Sequence, residues 1–317
     1  MNTQAVVIDR PEHLQLARLH LPPAEPEDVV VEVEWSGIST GTERLIWTGR
    51  MPMFPGMGYP LVPGYEAVGR VIEVGARSDL RLGQRVFVPG ARCFGEVRGL
   101  FGASASRLVV PGPRVVPVAD SLGADAVLIA LAATAYHSVS GGGLGAPHTP
   151  PDLIVGHGVL GRLLARLNVA AGHTGFTVWE TQPARQGGAL GYQVISPEDD
   201  PRRDYHAIYD VSGDAGLLDT LIARLAPGGE VVLAGFYAAP LSLSFPPAFM
   251  REARIRVAAE WKRPDLLAVQ QLLQDGRLDL RGLITHQERA EHAGSAYQQA
   301  FTDAGCLKMV LDWRHAA

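Results

Sequence analysis

The six residues Gly156-His157-Gly158-Val159-Leu160-Gly161 constrain this chain more than any other segment, because they fit G-x-G-x-x-G with the right neighbours on both sides. Before them Leu153-Ile154-Val155 is a β-type run. After them RLLARLNVAA (162–171) places apolar residues three and four apart, as a helix requires. In a strand–turn–helix of this kind Gly156 permits the tight turn, Gly158 lets backbone N–H groups approach a pyrophosphate, and Gly161 lets helix and strand pack closely. His157, Val159 and Leu160 complete the loop, and the helix N-terminus offers partial positive charge to phosphate. An acid, Glu180, closes the next expected strand nineteen positions past Gly161. It is placed to accept hydrogen bonds from adenosine ribose hydroxyls, which favours NAD over a 2′-phosphorylated cofactor. Arg185 nearby weakens that preference. A glycine turn that binds nothing would not need strand, spacing, helix and acid to agree.

The rest of the chain falls into place around this turn. Strands are expected at 152–155, 176–180, 207–211, 230–234 and 254–259, with helices at 162–171 and 217–225. Such alternation implies right-handed βαβ units and a doubly wound parallel sheet of the α/β class. Upstream the texture differs: VVVEVE (29–34), EAVGRVIEV (66–74) and QRVFV (84–88) are short β runs cornered by Gly75, Gly83 and Gly90, which suggests a small barrel or distorted sheet. An alanine-rich helical stretch (121–138) and a glycine–proline loop (141–151) lie between the two regions. A tail of helix (264–274), helix (290–302) and strand (306–312) has no core of its own and is expected to pack on the first domain. The expected division is 1–120, 121–262 and 263–317. At 317 residues the chain suits two cores, since single cores stop growing at roughly 250–300 residues.

Charge and cysteine usage exclude several classes. A net charge of −5, interspersed along the chain, argues against nucleic acid or an anionic membrane surface as partner. Cys93 and Cys306 lie far apart, so no disulfide framework or cysteine-rich metal site is available. No apolar run at the start resembles a signal sequence, and no stretch of about 20 apolar residues is expected to span a membrane. The expectation is a soluble, cytoplasmic protein with no transmembrane segment.

VVVEVEWSGISTGTE, PLVPGYEAVGRVIEVG, LRLGQRVFV, AATAYHSV, GHGVLG and the tail LDLRGLITHQ…CLKMVLDW together resemble the medium-chain dehydrogenase/reductase superfamily over nearly the whole chain. The resemblance implies a GroES-like β-rich catalytic domain beside the Rossmann domain. In zinc-dependent members three ligand positions fall where this chain has Ser39, Tyr65 and Ala130, and the four-cysteine structural lobe is reduced to Cys93. Serine and alanine do not ligate zinc and tyrosine rarely does, so no metal is expected at either site. The segment 35–66, with WSGISTGTERL and WTGRMPMFPGMGYPLVPGYE, is similar to the bacteriochlorophyllide a dehydrogenase family. That implies NAD-dependent oxidation of a 3-(1-hydroxyethyl) side chain to 3-acetyl on a tetrapyrrole, a bacteriochlorophyllide, in bacteriochlorophyll biosynthesis. It also implies a homodimer.

Without zinc, side chains must take the hydroxyl proton and stabilise developing charge. Ser39, Thr40 and Thr42 are hydroxyls in the loop where the superfamily places catalytic groups, Tyr65 stands in for a histidine ligand, and Glu43 and Glu66 are nearby carboxyls. Tyr65 is the preferred proton-transfer residue, relayed through Ser39 or Thr42, provided a neighbour or the nicotinamide charge lowers its pKa from about 10. By resemblance Thr134 contacts the nicotinamide, while His137 is read as a packing residue and His157 as a loop residue without chemistry. Trp47, Met51, Met53, Phe54, Met57 and Tyr59 suit a flat apolar ligand, and Arg44 and Arg50 a propionate carboxylate. Those same apolar side chains would equally cap a domain core. Two further functional readings stay open, a zinc-free NAD(P)H-dependent enone or quinone reductase and a non-catalytic dinucleotide-binding protein.

Overall fold

A computed structural model describes residues 1–53, 55–140 and 149–316. The chain divides into two compact units, one of Met1–Ala130 with Arg281–Ala317 and one of Leu131–Leu280. The expected tail is thereby shared: its helix Arg263–Gln274 falls in the second unit, and only the residues beyond Leu280 join the first.

The first unit is built on the strand Asp28–Ile38, whose apolar residues Val29, Val30, Val31, Val33 and Ile38 are all buried. It pairs with Ala67–Val74, with Arg107–Pro111 and with the tail strand Met309–Asp312, all antiparallel. A second, four-stranded sheet carries the N-terminal hairpin Asn2–Arg10 and His13–His20, which alternation did not single out in the sequence. The helix Ala293–Thr302 buries Ala293, Ala296, Tyr297 and Ala300, a stripe at helical spacing that lies in the core of this unit. Trp313 closes the tail, its indole N–H donating to Ser36 Oγ at 2.8 Å.

The second unit is a six-stranded parallel sheet in the order Gln193–Ile195, Thr177–Trp179, Leu153–Val155, Tyr205–Asp210, Leu225–Leu233, Arg254–Val257. The chain runs outward from Leu153–Val155 on one side, then restarts on the other. A crevice therefore opens at the C-terminal end of that central strand, where Gly156 begins the turn. Together the two units make the expected architecture, a GroES-like β-rich unit and a Rossmann sheet.

Two sequence expectations change. The strand expected at 230–234 begins at Leu225, so the preceding α-helix shrinks to Leu218–Ile222. The stretch Asp120–Ser140, contrary to expectation, is long and apolar enough by composition to cross a membrane. It is a core segment: 61% of its apolar window is buried, and Gly123 leaves helical geometry at φ 53°. The α-helix proper, Ile129–Ser140, has 12 residues, about 18 Å of rise against the roughly 30 Å of a bilayer core.

Candidate active site

The glycine turn has the geometry a dinucleotide needs. Gly156 sits at φ +105°, in the region that favours glycine. A Cβ at Gly161 would run into the carbonyl oxygen of Gly156, so only glycine lets the helix start this close to the strand. A Cβ at Gly158 meets nothing within 4 Å, which leaves open space at the N-cap of the helix Val159–Ala170. These residues fit a pyrophosphate held by the helix N-terminus. Glu180 follows the strand Thr177–Trp179. Its Oε2 accepts the His157 N–H at 3.0 Å and its Oε1 the Gln182 N–H at 2.8 Å. A carboxylate has about four acceptor sites, so capacity for ribose hydroxyls is left.

His157 turns its ring inward. Nδ1 lies 2.6 Å from the Arg185 carbonyl and Nε2 2.8 Å from the Tyr192 hydroxyl, and burial depresses its pKa to about 4. Arg162, unnoticed in the sequence, reaches back from the helix to the carbonyls of His157, Arg185 and Gly187. It fastens the segment around Arg185 to the glycine turn. Thr134 is half-buried on Ile129–Ser140, and on the same helix the His137 Nδ1 meets Asp265 Oδ2 at 2.8 Å, a structural contact.

In the first unit three chain ends bring polar groups together. Ser39 follows Asp28–Ile38, Glu66 precedes Ala67–Val74, and Lys308 precedes Met309–Asp312. The pairings Ser36↔Ala67 and Met309↔Ile38 set all three at one edge of the sheet. The Tyr65 hydroxyl donates to Ser39 Oγ at 2.8 Å, and Thr42 also hydrogen-bonds Tyr65. Phe101 packs its ring edge-on against Tyr65, centroids 5.6 Å apart. Glu66 and Lys308 form a buried ion pair through Oε2 and Nζ, in space that exists because residue 37 is glycine. Glu43 accepts the Ser39 N–H at 3.0 Å and the Tyr297 hydroxyl at 2.6 Å.

The electrostatics correct one premise. Burial, and then the charge of Glu66, push the Tyr65 pKa well above the usual phenol value, and the hydrogen bonds with Ser39 and Thr42 pull it down too weakly to offset them. Tyr65 is therefore a neutral hydroxyl that donates and accepts, not a tyrosinate. Burial likewise raises Glu66 against the opposing pull of Lys308, and it raises Glu43 to about 7. Thr40 is half-buried in the same loop.

Lys308 and Tyr297 were missed in the sequence. Lys308 is one of two lysines in the chain and stands in the apolar run CLKMVL, a signal that a buried carboxylate awaited it. Ala130 is buried, and among the described residues no group of three or more His, Cys, Asp or Glu gathers as a metal site.

Of the residues expected to meet substrate, Trp47, Met51, Met57 and Tyr59 pack in a satellite core with Ile8, Ile46, Leu61 and Leu100. The Tyr59 hydroxyl donates to the Ile46 carbonyl. Met53 is 99% exposed, and Arg44 and Arg50 are exposed. Phe54 lies outside the described residues, as does most of the expected loop, 141–148.

Residues 25–120 match the alcohol dehydrogenase GroES-like domain. The 2-desacetyl-2-hydroxyethyl bacteriochlorophyllide A dehydrogenase of Cereibacter sphaeroides is 54% identical over 322 residues, covering all of both chains. The chain belongs to the 2-desacetyl-2-hydroxyethyl bacteriochlorophyllide A dehydrogenase family. The Rhodobacter capsulatus member of this dehydrogenase family is 53% identical, again over both full chains. Among solved structures, acetophenone reductase from Geotrichum candidum in complex with NAD matches at TM-score 0.81 and 18% identity, covering 98% of this chain and 97% of that one. The chain thus shares its fold with an enzyme solved in complex with NAD.

Proposed function

We propose that this protein oxidises the secondary alcohol of a 3-(1-hydroxyethyl) bacteriochlorophyllide to the 3-acetyl ketone, in the cytoplasm, with NAD as acceptor and without zinc. The observation that carries the reading is the 54% identity to a dehydrogenase of that name over both full chains. NAD, when bound, supplies the hydride acceptor. The protein's own groups manage the proton. The carbinol hydrogen leaves as hydride, and the hydroxyl proton passes to the Tyr65 oxygen while Tyr65 hands its own proton to Ser39. From Ser39 a proton reaches water, so alcohol and NAD⁺ give ketone, NADH and H⁺. A relay through neutral hydroxyls needs no free tyrosinate, which suits the raised Tyr65 pKa. Thr42 holds Tyr65 in place, and Glu66, tied to Lys308, fixes the strand end behind it.

Ser39 and Tyr65 are bonded to each other, and alanine stands at position 130, which supports a reaction without zinc. Glu180 supports NAD over NADP. Exposed Arg44 and Arg50 suit a tetrapyrrole carboxylate, with Met53 beside them for its apolar face. The Arg254–Val257 strand is an open sheet edge bordered by exposed Phe245, Phe249 and Met250, a surface suited to a second copy of the chain.

The test is spectroscopic. Purified protein is incubated with NAD and 3-hydroxyethyl bacteriochlorophyllide while macrocycle absorption and NADH are followed. A shift of the macrocycle with stoichiometric NADH is expected. NADPH-dependent quinone reduction alone, or NADH binding with no turnover of any substrate, overturns the reading in favour of a quinone reductase or a non-catalytic binder.

A further inference from the structure

Glu43 is only 1% exposed, on the first turn of the helix Thr42–Trp47. Charged and titratable groups face it from every element packed around it. The Ser39 N–H donates to Oε1 from the end of the strand Asp28–Ile38, and the Tyr297 hydroxyl donates to Oε2 from the helix Ala293–Thr302. Ser104 Oγ stands 3.4 Å from the same Tyr297 oxygen. Lys308 and Glu66 act on it by charge, and its own charge is felt by Tyr65.

This buried group therefore holds two carboxyls and one ammonium, and the ammonium is in contact with Glu66. An unpaired buried charge is unfavourable, so one proton stays with the carboxyls. Glu43, with no cation in contact among the described residues, is the carboxyl that keeps it. Burial is the main cause of its raised pKa, about 7, and the hydrogen bonds from Tyr297 and Ser39 hold that rise down. Glu43 thus changes charge near neutrality while hydrogen-bonded to the Ser39 N–H of the Tyr65–Ser39 pair.

We propose that Glu43 is a positioning residue for alcohol oxidation: it holds Ser39 through its backbone N–H against Tyr65, and in its ionised form draws the substrate proton toward Ser39. The inference rests on reading the site as alcohol-oxidising. Glu43 makes and breaks no bond in the step. A negative charge behind Ser39 favours movement of a proton along Tyr65 and Ser39, and a neutral carboxyl does not.

The experiment compares wild type, Glu43→Gln and Tyr297→Phe, with NAD and 3-hydroxyethyl bacteriochlorophyllide, across pH. Wild-type kcat is expected to rise through about pH 7. Glu43→Gln keeps an acceptor for the Ser39 N–H but loses that rise, with kcat at pH 8 lower by roughly tenfold and KM for both substrates within about twofold. Tyr297→Phe removes a donor that stabilises the carboxylate, so the rise moves to higher pH. A readout independent of turnover accompanies these: the Tm of Glu43→Gln gains on wild type as pH increases from 4.5 to about 7, because there the unfolded wild-type chain releases the Glu43 proton that the folded one keeps, and glutamine has none to release. An unchanged kcat profile in Glu43→Gln, or a Tm difference that is flat over this range, overturns the proposal. If wild type fails to oxidise the alcohol, the functional reading falls by itself. The Tm comparison then still decides whether Glu43 carries the buried proton.

Discussion

Tyr65 donates its phenolic hydrogen to the Ser39 hydroxyl at 2.8 Å, joining two residues that lie 26 positions apart in the chain. The bond gives each hydroxyl a fixed partner, and the Tyr65 phenol meets the hydroxyls of Ser39 and Thr42 where a catalytic tyrosinate would need a cation.

Tyr65→Phe keeps the ring against Phe101 and removes the donor. Turnover is expected to fall at least roughly tenfold, with the KM for NAD unchanged. Steady-state kinetics check it, and wild-type turnover in this variant removes Tyr65 from the mechanism.

Lys308→Met leaves the Glu66 carboxyl buried with no cation. A loss of stability of roughly 3–5 kcal/mol is expected in denaturant titration. The double variant Glu66→Gln/Lys308→Met is expected to recover most of it, since the uncompensated charge is gone. Equal losses in the single and double variants would show that the pair contributes by packing alone.

Glu180→Ala removes the acceptor at the end of Thr177–Trp179. The ratio of kcat/KM for NAD to that for NADP is expected to fall at least roughly tenfold, because the carboxylate both binds ribose hydroxyls and repels a 2′-phosphate. A ratio that does not move assigns cofactor choice to other residues.

The fold's response to acid runs partly through His157, whose pKa is depressed by burial to about 4. Between the unfolded value near 6.5 and about 4, the unfolded chain binds a proton that the folded one refuses, so this contribution is present above pH 6.5 and is lost as pH falls. His157→Gln is therefore expected to close its Tm deficit against wild type as pH drops through that window. A constant deficit in thermal scans would place the histidine outside the acid response.

The open edge Arg254–Val257 predicts a dimer in light scattering. Val257, 72% exposed, is the simplest position to change: Val257→Lys puts charge on that edge and is expected to give monomers. A wild-type monomer would leave the edge without a partner copy.

The glycine turn was legible because its demands are local. Gly156 needs a positive φ, Gly161 needs closeness to the Gly156 carbonyl, and both needs are met within six residues of chain. The apolar segment around Trp47 was ambiguous, since Trp, Met and Tyr serve a ligand face and a domain core equally well. Only packing shows Met51 and Tyr59 in the satellite core and Met53 in solvent.

What the sequence by itself determined is whatever rests on steric rules of neighbouring residues: the glycine turn and the parallel α/β order. The tertiary structure alone decided which charges meet. Glu43 and Tyr297 are 254 positions apart, and Lys308 reaches Glu66 only because the tail strand pairs beside Gly37. Burial then turned an ordinary glutamate into a group that titrates near neutrality and raised the Tyr65 pKa well above that of a free phenol. Desolvation belongs to the assembled core, and no local pattern of residues carries it.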